Sequence, residues 1–182
     1  MHKGGYSMNQ VMYEILNRRS IREYKKDPVS KELLDSIIQA GLAAASSMGR
    51  QSPIIIAVTN PEIRKKLAQV NSEIGGWKPD YDPFYGAPVV LIVLAKADVG
   101  PAVCDGSLCL GNMMLAASSQ GLGSCWIHRC RETFERPEWK EWLKSIGVEG
   151  EYIGVGHLAL GYPEGPKPKA HEIKPNRVFF AD

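Results

Sequence analysis

The chain has 182 residues, with 22 Lys and Arg against 20 Asp and Glu, for a formal net charge of +2. At 44% hydrophobic and 23% charged residues, its composition is that of one soluble globular domain, and a chain of this length buries roughly 70% of its unfolded surface without a disulfide or a metal. The near-neutral charge argues against nucleic acid or an acidic membrane as a partner. With no transmembrane-length apolar run and no signal peptide visible, the sequence predicts a cytoplasmic protein.

The cysteines predict neither a metal site nor a redox centre. Cys104, Cys109, Cys125 and Cys130 contain no C-x-x-C spacing, the usual arrangement of a zinc site or a redox dithiol. We therefore expect buried, reduced thiols and no bound metal.

The first half of the chain predicts three helices and a strand. Residues 1–8 lack periodicity and are interpreted as a disordered terminus or a vector-derived remnant, so residues 9–182 form the single domain. A helix of about ten residues begins at Asn9, and Ser30 caps a second helix. A strand over residues 54–59 follows, and then a helix that carries Pro61 in its first turn, where the missing N–H costs little.

The second half combines apolar elements with an aromatic loop. Residues 75–88 hold four aromatic side chains and predict a loop that covers something. Residues 89–95 predict a strand buried on both faces, and residues 105–120 a central helix that is apolar on every side and therefore interior. A short strand (124–127), a surface helix around Phe134 and Trp139, a strand (152–160) and an extended Pro-rich tail complete an α+β order that starts with a helix and does not suit a Rossmann fold.

Two basic clusters are candidates for phosphate binding. Arg18, Arg19, Ser20 and Arg22 place three guanidinium groups and a hydroxyl within five residues, and guanidinium forks match phosphate oxygens. The alternative is a solvated basic end of the first helix. The second cluster lies in the tail, where the alternative is a solvated strip: Lys167, Lys169, His171 and Lys174.

Two stretches of small residues could admit a flat ligand. Residues 121–127, GLGSCWI, leave the central helix and enter a strand, so their main chain could face a ligand without obstruction by side chains. The alternative is a helix C-cap. Residues 43–51 are open to the same two interpretations, as a ligand site or as a closely packed helix end.

Taken together and in this order, the motifs RRSIREY (18–24), ASSMGRQ (45–51), GLGSCW (121–126) and LGYP (160–163) followed by a basic tail resemble the nitroreductase family of FMN-dependent NAD(P)H oxidoreductases. The resemblance covers roughly residues 9 to 175. It implies an α+β fold with a central, mainly antiparallel sheet flanked by helices. It also implies an intertwined homodimer with one FMN in each of two clefts at the subunit interface.

The resemblance assigns roles to the basic cluster and to further residues. Arg18 and Ser20 would hold the FMN phosphate, Arg19 would lie along the ribityl chain and the ring edge, and Arg22 would approach the pyrimidine carbonyl, where a positive charge favours the reduced flavin. The remaining implied contacts are Ser46, Ser47 and Gln51 from the partner subunit, Asn71 at the flavin amide, Ser124, Cys125, Trp126, Ile127, His128 and Arg129 along one flavin face, and Lys169 and His171 at the phosphate.

The sequence departs from the family pattern at several of these positions. Gly49 stands where the family usually has Asn, residues 52–53 replace the usual Pro-Trp, and His171 replaces an Arg that is more usual there, so we expect altered FMN affinity with an unchanged cofactor. His128 replaces a small residue and is a candidate proton donor, the alternative being a structural histidine.

The implied reaction transfers a hydride from NADH or NADPH through the flavin to an electron-poor acceptor, such as a nitroaromatic or a quinone, by a ping-pong mechanism. Residues 77–85 and the segment around Phe134 are candidate lids. The alternative function is a flavin-binding sensor or storage protein that does not turn over nicotinamide.

Overall fold

The structure, a computed structural model, describes residues 8–181, and the expectation for residues 1–7 lies outside that range. The helices are α1 (Gln10–Asn17), α2 (Lys31–Leu42), α3 (Pro61–Gly75), α4 (Ala102–Ser119), α5 (Cys130–Glu135) and α6 (Pro137–Ser145). The strands are β1 (Pro53–Val58), β2 (Val89–Lys96), β3 (Gly123–Ile127) and β4 (Tyr152–Gly161).

Local capping signals set where the first three helices begin. The Asn9 side chain accepts the Met12 N–H at 2.9 Å, and the Ser30 hydroxyl accepts the Leu33 N–H at 3.3 Å. Asn60 caps α3, with Pro61 in the first turn. Each cap satisfies amide groups that a helix start leaves unpaired, and the predicted starts of α1, α2 and α3 are confirmed.

Among residues 8–181 the strands form a four-stranded sheet in the order β1-β2-β4-β3, and all neighbours are antiparallel. The first seven residues of β2 are buried, as expected for an apolar run in the middle of a sheet. The α+β class with an antiparallel central sheet is therefore confirmed. Because β3 lies at the edge of the sheet, one side of its main chain faces outward.

Helices cover both faces of the sheet. Leu91 and Val93 point toward α2 and α4, whereas Val90 and Ile92 point toward α3, α5 and α6. This alternation follows from the two-residue period of a strand. No helix in the described part of the chain is long and apolar enough to cross a bilayer.

The single surface helix predicted around Phe134 and Trp139 is wrong, because the chain forms two helices there. Arg136 lies between α5 and α6 in an extended conformation, with φ of −73° and ψ of 135°. A residue that precedes proline is pushed out of the helical region by the proline ring, and Pro137 then starts α6.

The expectation that α4 is interior on every side is also wrong, because one side of α4 is exposed in the single chain. Val103 and Leu108 are about half exposed, while Cys109, Leu110 and Met113 pack against the sheet. Helix α1 reverses the usual pattern more strongly, because Val11, Ile15 and Leu16 are exposed and its buried residue is Glu14. These two helices present apolar surface that the rest of residues 8–181 does not cover.

Candidate functional site

A cleft of about 210 Å³ opens where the end of α1, the turn between α4 and β3, and the start of the tail meet. Its walls combine guanidinium groups, glycine main chain and a proline-rich segment. The lining residues are Arg18, Arg19, Ile21, Ser118, residues 121–124 and residues 163–167.

The basic segment reaches this cleft because it runs along the outer edge of β3. Ser20 pairs in parallel with Ser124, and the Ile21 N–H donates to the Ser124 carbonyl at 3.0 Å. Four residues later, Tyr24 pairs with Pro163 at the start of the tail. Two distant parts of the sequence are thereby brought beside the GLGSCW motif.

Arg18 contributes to this cleft a buried guanidinium nitrogen whose hydrogen bonding is incomplete. Its Nη1 atom is buried and has no hydrogen-bond partner among residues 8–181. A buried charged donor without a partner is costly, so such a group fits a bound anion. A phosphate accepts guanidinium N–H groups in this way.

Arg19 and Arg22 are placed differently. The Arg19 Nη1 donates to the carbonyls of Leu16 at 2.9 Å and of Arg18 at 2.7 Å, so this guanidinium closes the end of α1. The helix-end interpretation therefore describes Arg19, although it also lines the cleft. Arg22 is exposed and lies 6.0 Å from the ring centre of Tyr85.

The Cys125 thiol lies where these groups converge. Burial raises the pKa of Cys125, while the charge of Arg22, a hydrogen bond from Ser20 and the charge of Arg18 all oppose that rise. By geometry, Arg18 and the start of β3 line the cleft, Ser20 pairs with Ser124 beside it, and Arg22 lies near Tyr85.

The side chains of β3 divide between the two faces of the sheet. Ser124 lines the cleft, Cys125 and Ile127 pack on the α3 side, and Trp126 packs on the α4 side. A ligand along this edge would meet main chain rather than these side chains. Beyond the strand, His128 is exposed and Arg129 has a positive φ of 76°.

Residues 46–51 lie at the opposite end of α4 from the cleft. The Ser47 N–H donates to the Asp105 carboxylate at 3.1 Å, and the Gln51 N–H donates to the Ser46 hydroxyl at 2.9 Å. Asp105 and Ser118 are 13 positions apart on one helix, which corresponds to about 20 Å at 1.5 Å per residue. One chain therefore does not bring Ser46, Ser47 and Gln51 to the Arg18 cleft.

Gly49, which stands where the nitroreductase pattern usually has Asn, is suited to the backbone conformation of its turn. Gly49 has a φ of 65° and no atom within 4 Å of the position that a Cβ would take. Glycine and asparagine are the residues that adopt this left-handed region most readily, so glycine preserves the turn.

The tail contacts the cleft through Lys167, whereas Lys169 and His171 are exposed further along it. Asn71 is not brought to the cleft. It is fully buried, and its side-chain amide donates to the Leu67 carbonyl at 3.0 Å and to the Thr133 hydroxyl at 3.2 Å. The expected direct contact of Asn71 with a flavin finds no support, because Asn71 points between α3 and α5.

The sequence model of the Nitroreductase family matches residues 15–75 and 76–162 of this chain. The chain belongs to the nitroreductase family. An FMN reductase [NAD(P)H] of Bacillus subtilis is 32% identical, over 94% of this chain and 73% of its own length. An NADPH-flavin oxidoreductase of Vibrio harveyi is 30% identical, over 92% of this chain and 70% of its own length.

A crystal structure of a nitroreductase with bound FMN from Bacteroides fragilis superimposes with a TM-score of 0.86. The two sequences are 29% identical, and the match covers 96% of this chain and all of the other. The nitroreductase fold inferred from the four motifs is thereby confirmed.

The candidate lids of this nitroreductase-family chain differ in character. Phe134 is only 2% exposed and belongs to the core, so its segment is not a lid. In the aromatic loop, Asp82 accepts the N–H groups of Phe84 at 3.0 Å and of Gly86 at 2.8 Å and pairs with Arg64. The loop is therefore anchored by its own carboxylate, with Trp77 and Tyr81 at its exposed end.

Sequence reasoning missed His157, which lies opposite Ile127 in the sheet. It is fully buried between the rings of Phe84 and Phe134, with ring centres 5.5 and 6.2 Å away. Burial lowers its pKa to about 3, so the imidazole is neutral near pH 7. A single histidine within an apolar strand carries no sequence signal that could have revealed this environment.

Proposed function

We propose that this chain is an FMN-dependent oxidoreductase that uses NAD(P)H to reduce an electron-poor acceptor such as a nitroaromatic or a quinone, by a ping-pong mechanism. Bound FMN supplies the chemistry, by accepting a hydride from the nicotinamide and passing it to the acceptor. The observation that carries the proposal is the buried, unpartnered Nη1 of Arg18 in a cleft beside glycine main chain. The flavin-reductase and oxidoreductase names of its relatives agree with it.

The residues at the cleft fit the phosphate end of FMN. Arg18 offers a partly buried guanidinium, and Lys167 adds a positive charge from the tail. Ser20, which pairs with Ser124 beside the cleft, is proposed to add a hydroxyl. Lys169 and His171 follow on the same exposed strip and are proposed as further phosphate ligands. Charged hydrogen bonds of this kind are about twice as strong as neutral ones.

The remaining roles concern orientation and charge. The Ser124 carbonyl is taken by the Ile21 N–H, so the edge of β3 beyond Ser124 would offer main chain to one face of the flavin. The positive charge of Arg22 would stabilise the negatively charged reduced flavin. His128 is exposed at the end of this edge and is the candidate proton donor.

We also propose a homodimer, because the site described above is incomplete in one chain. Residues 46–51 lie about 20 Å from the Arg18 cleft along α4, so they would complete the cleft of a partner subunit. The exposed apolar residues of α1 and α4, such as Leu16 and Leu108, supply surface that an interface would bury.

The test is anaerobic mixing of FMN-loaded protein with NADH or NADPH while the flavin absorbance is recorded. Loss of the absorbance in the first step and its return on adding a quinone or a nitroaromatic would support two separate half-reactions. Bound FMN that neither nicotinamide bleaches would contradict the proposal and favour a sensor or storage protein. Arg18→Ala serves as the control, because it should bind FMN more weakly and so carry less of the bleachable flavin.

A further inference from the structure

A continuous hydrogen-bond chain links α3 to the loop between β3 and α5. The Asn71 amide donates to the Thr133 hydroxyl at 3.2 Å, and that hydroxyl donates to the Arg129 carbonyl at 2.7 Å. The orientation of the Asn71 amide is fixed by its second contact, with the Leu67 carbonyl, because a carbonyl only accepts and must therefore face the amide nitrogen. The same nitrogen donates to Thr133, so the hydrogen bonds run from Asn71 through Thr133 to Arg129. Asn71 and Thr133 are both fully buried.

The end of this chain is a strained residue. Arg129 has a φ of 76° and a ψ of 6°, in the left-handed region that residues with a Cβ rarely adopt. Such a conformation persists only where surrounding contacts enforce it. The Arg129 carbonyl accepts both the hydroxyl and, at 3.0 Å, the main-chain N–H of Thr133, and the Arg129 guanidinium pairs with Glu132 at 3.4 Å.

Asn71 is also a costly residue for its position. Its Oδ1 atom is buried and finds no hydrogen-bond partner within residues 8–181. A buried carbonyl oxygen without a partner destabilises the fold, and an apolar side chain of similar size would avoid that cost. The Asn71 side-chain N–H group, by contrast, is satisfied, and it donates a hydrogen bond to the Thr133 hydroxyl.

We propose that Asn71 and Thr133 are positioning residues that hold the main chain of His128 and Arg129 in the left-handed turn beside the flavin. This inference rests on the proposed function, which places that turn against one face of FMN. Asn71 then affects the flavin indirectly, through its hydrogen bond to Thr133 and the hydrogen bond of Thr133 to the Arg129 carbonyl. Preorganised main-chain dipoles stabilise charge on a bound group without further reorganisation, so fixing this turn would favour the reduced cofactor.

The test compares Thr133→Val, which keeps the shape but removes the hydroxyl, with Thr133→Ser, which keeps the hydroxyl. The midpoint potential of bound FMN is measured by equilibration with a reference dye. For Thr133→Val we expect reduced FMN to lose about tenfold in affinity relative to oxidised FMN, a shift of about −30 mV for a two-electron couple. Thr133→Ser should stay within about twofold of the parent, and the dissociation constant of oxidised FMN should change little because the Arg18 cleft is intact.

Asn71→Leu provides an independent measurement if Thr133→Val folds poorly, and it should shift the potential in the same direction by a smaller amount. Amide hydrogen exchange of FMN-free protein provides a readout that needs no flavin: exchange at residues 128–131 should rise in Thr133→Val and not in Thr133→Ser. Unchanged potential and exchange in both Thr133→Val and Asn71→Leu would overturn the inference, as would equal shifts in the Val and Ser variants. Failure of the parent to bind FMN would instead overturn the proposed function, even if the exchange pattern holds.

Discussion

Ile21 packs directly on Gly123, so closely that a Cβ on Gly123 would lie 2.8 Å from the Ile21 Cβ. The Ile21 N–H bonds to the carbonyl of the next residue, Ser124. These two contacts set the spacing between the RRSIR segment and β3. The second glycine of the GLGSCW motif, which also lines the cleft, therefore allows the close approach of Ile21 to β3.

Gly123→Ala should therefore displace the basic segment. Overpacking of this kind costs about 1–3 kcal/mol of stability, and we expect FMN affinity to fall by about tenfold or more as Arg18 moves with Ile21. Thermal unfolding and FMN titration measure the two effects. Gly100→Ala is the matched control, because no atom lies within 4 Å of the place that a Cβ would take there, and it should leave both values near those of the parent.

Arg18→Ala should weaken FMN binding by about thirtyfold, or about 2 kcal/mol, because a buried charged contact to the phosphate is lost. The FMN affinity of Arg18→Lys should lie between those of the parent and Arg18→Ala, since a lysine keeps the charge but lacks the planar fork. Quenching of FMN fluorescence on binding gives the dissociation constants. Arg19→Ala should affect binding less, because its guanidinium is engaged by the carbonyls at the end of α1; an effect equal to that of Arg18→Ala would contradict this division of roles.

Leu16→Lys should convert the protein to a monomer and abolish most FMN binding. Leu16 is 48% exposed on a helix whose apolar side chains face outward, and a charge there would be buried without a partner in a dimer. Light scattering gives the mass in solution. Ile146→Lys, at a position 45% exposed beyond α6, should leave the mass unchanged. A dimer that persists in Leu16→Lys would place the interface elsewhere.

The parts of the fold that depend on local sequence could be predicted. Asn9, Ser30 and Asn60 start helices by capping them, and the apolar residues of β2 mark a central strand. The break before Pro137 was also encoded locally, but the continuous spacing of Phe134 and Trp139 concealed it. For the cleft, the order of four motifs indicated the family more specifically than any single motif.

The parts that depend on packing between distant elements could not be predicted. The apolar surface of α4 indicates burial, but not whether its own chain or another covers it, and Val103 and Leu108 remain exposed here. Asn71 lies on α3, and its burial depends on α5, which packs against that helix. Its contact with Thr133, 62 positions away, has no trace in the sequence pattern.

His157 should make the protein sensitive to acid. Burial lowers its pKa from 6.5 to about 3, so the folded state keeps it neutral, whereas the unfolded chain takes up a proton near pH 6.5. Its contribution to stability is therefore complete above pH 6.5 and is lost as the pH falls from 6.5 toward 3, by about 2 kcal/mol at pH 5. His157→Leu should flatten the fall in the free energy of unfolding between pH 7 and pH 5, measured with urea on FMN-free protein. His171→Leu, in the exposed tail, should keep most of the parent's slope, and parallel profiles for the parent and His157→Leu would show that His157 does not resist protonation in the folded state.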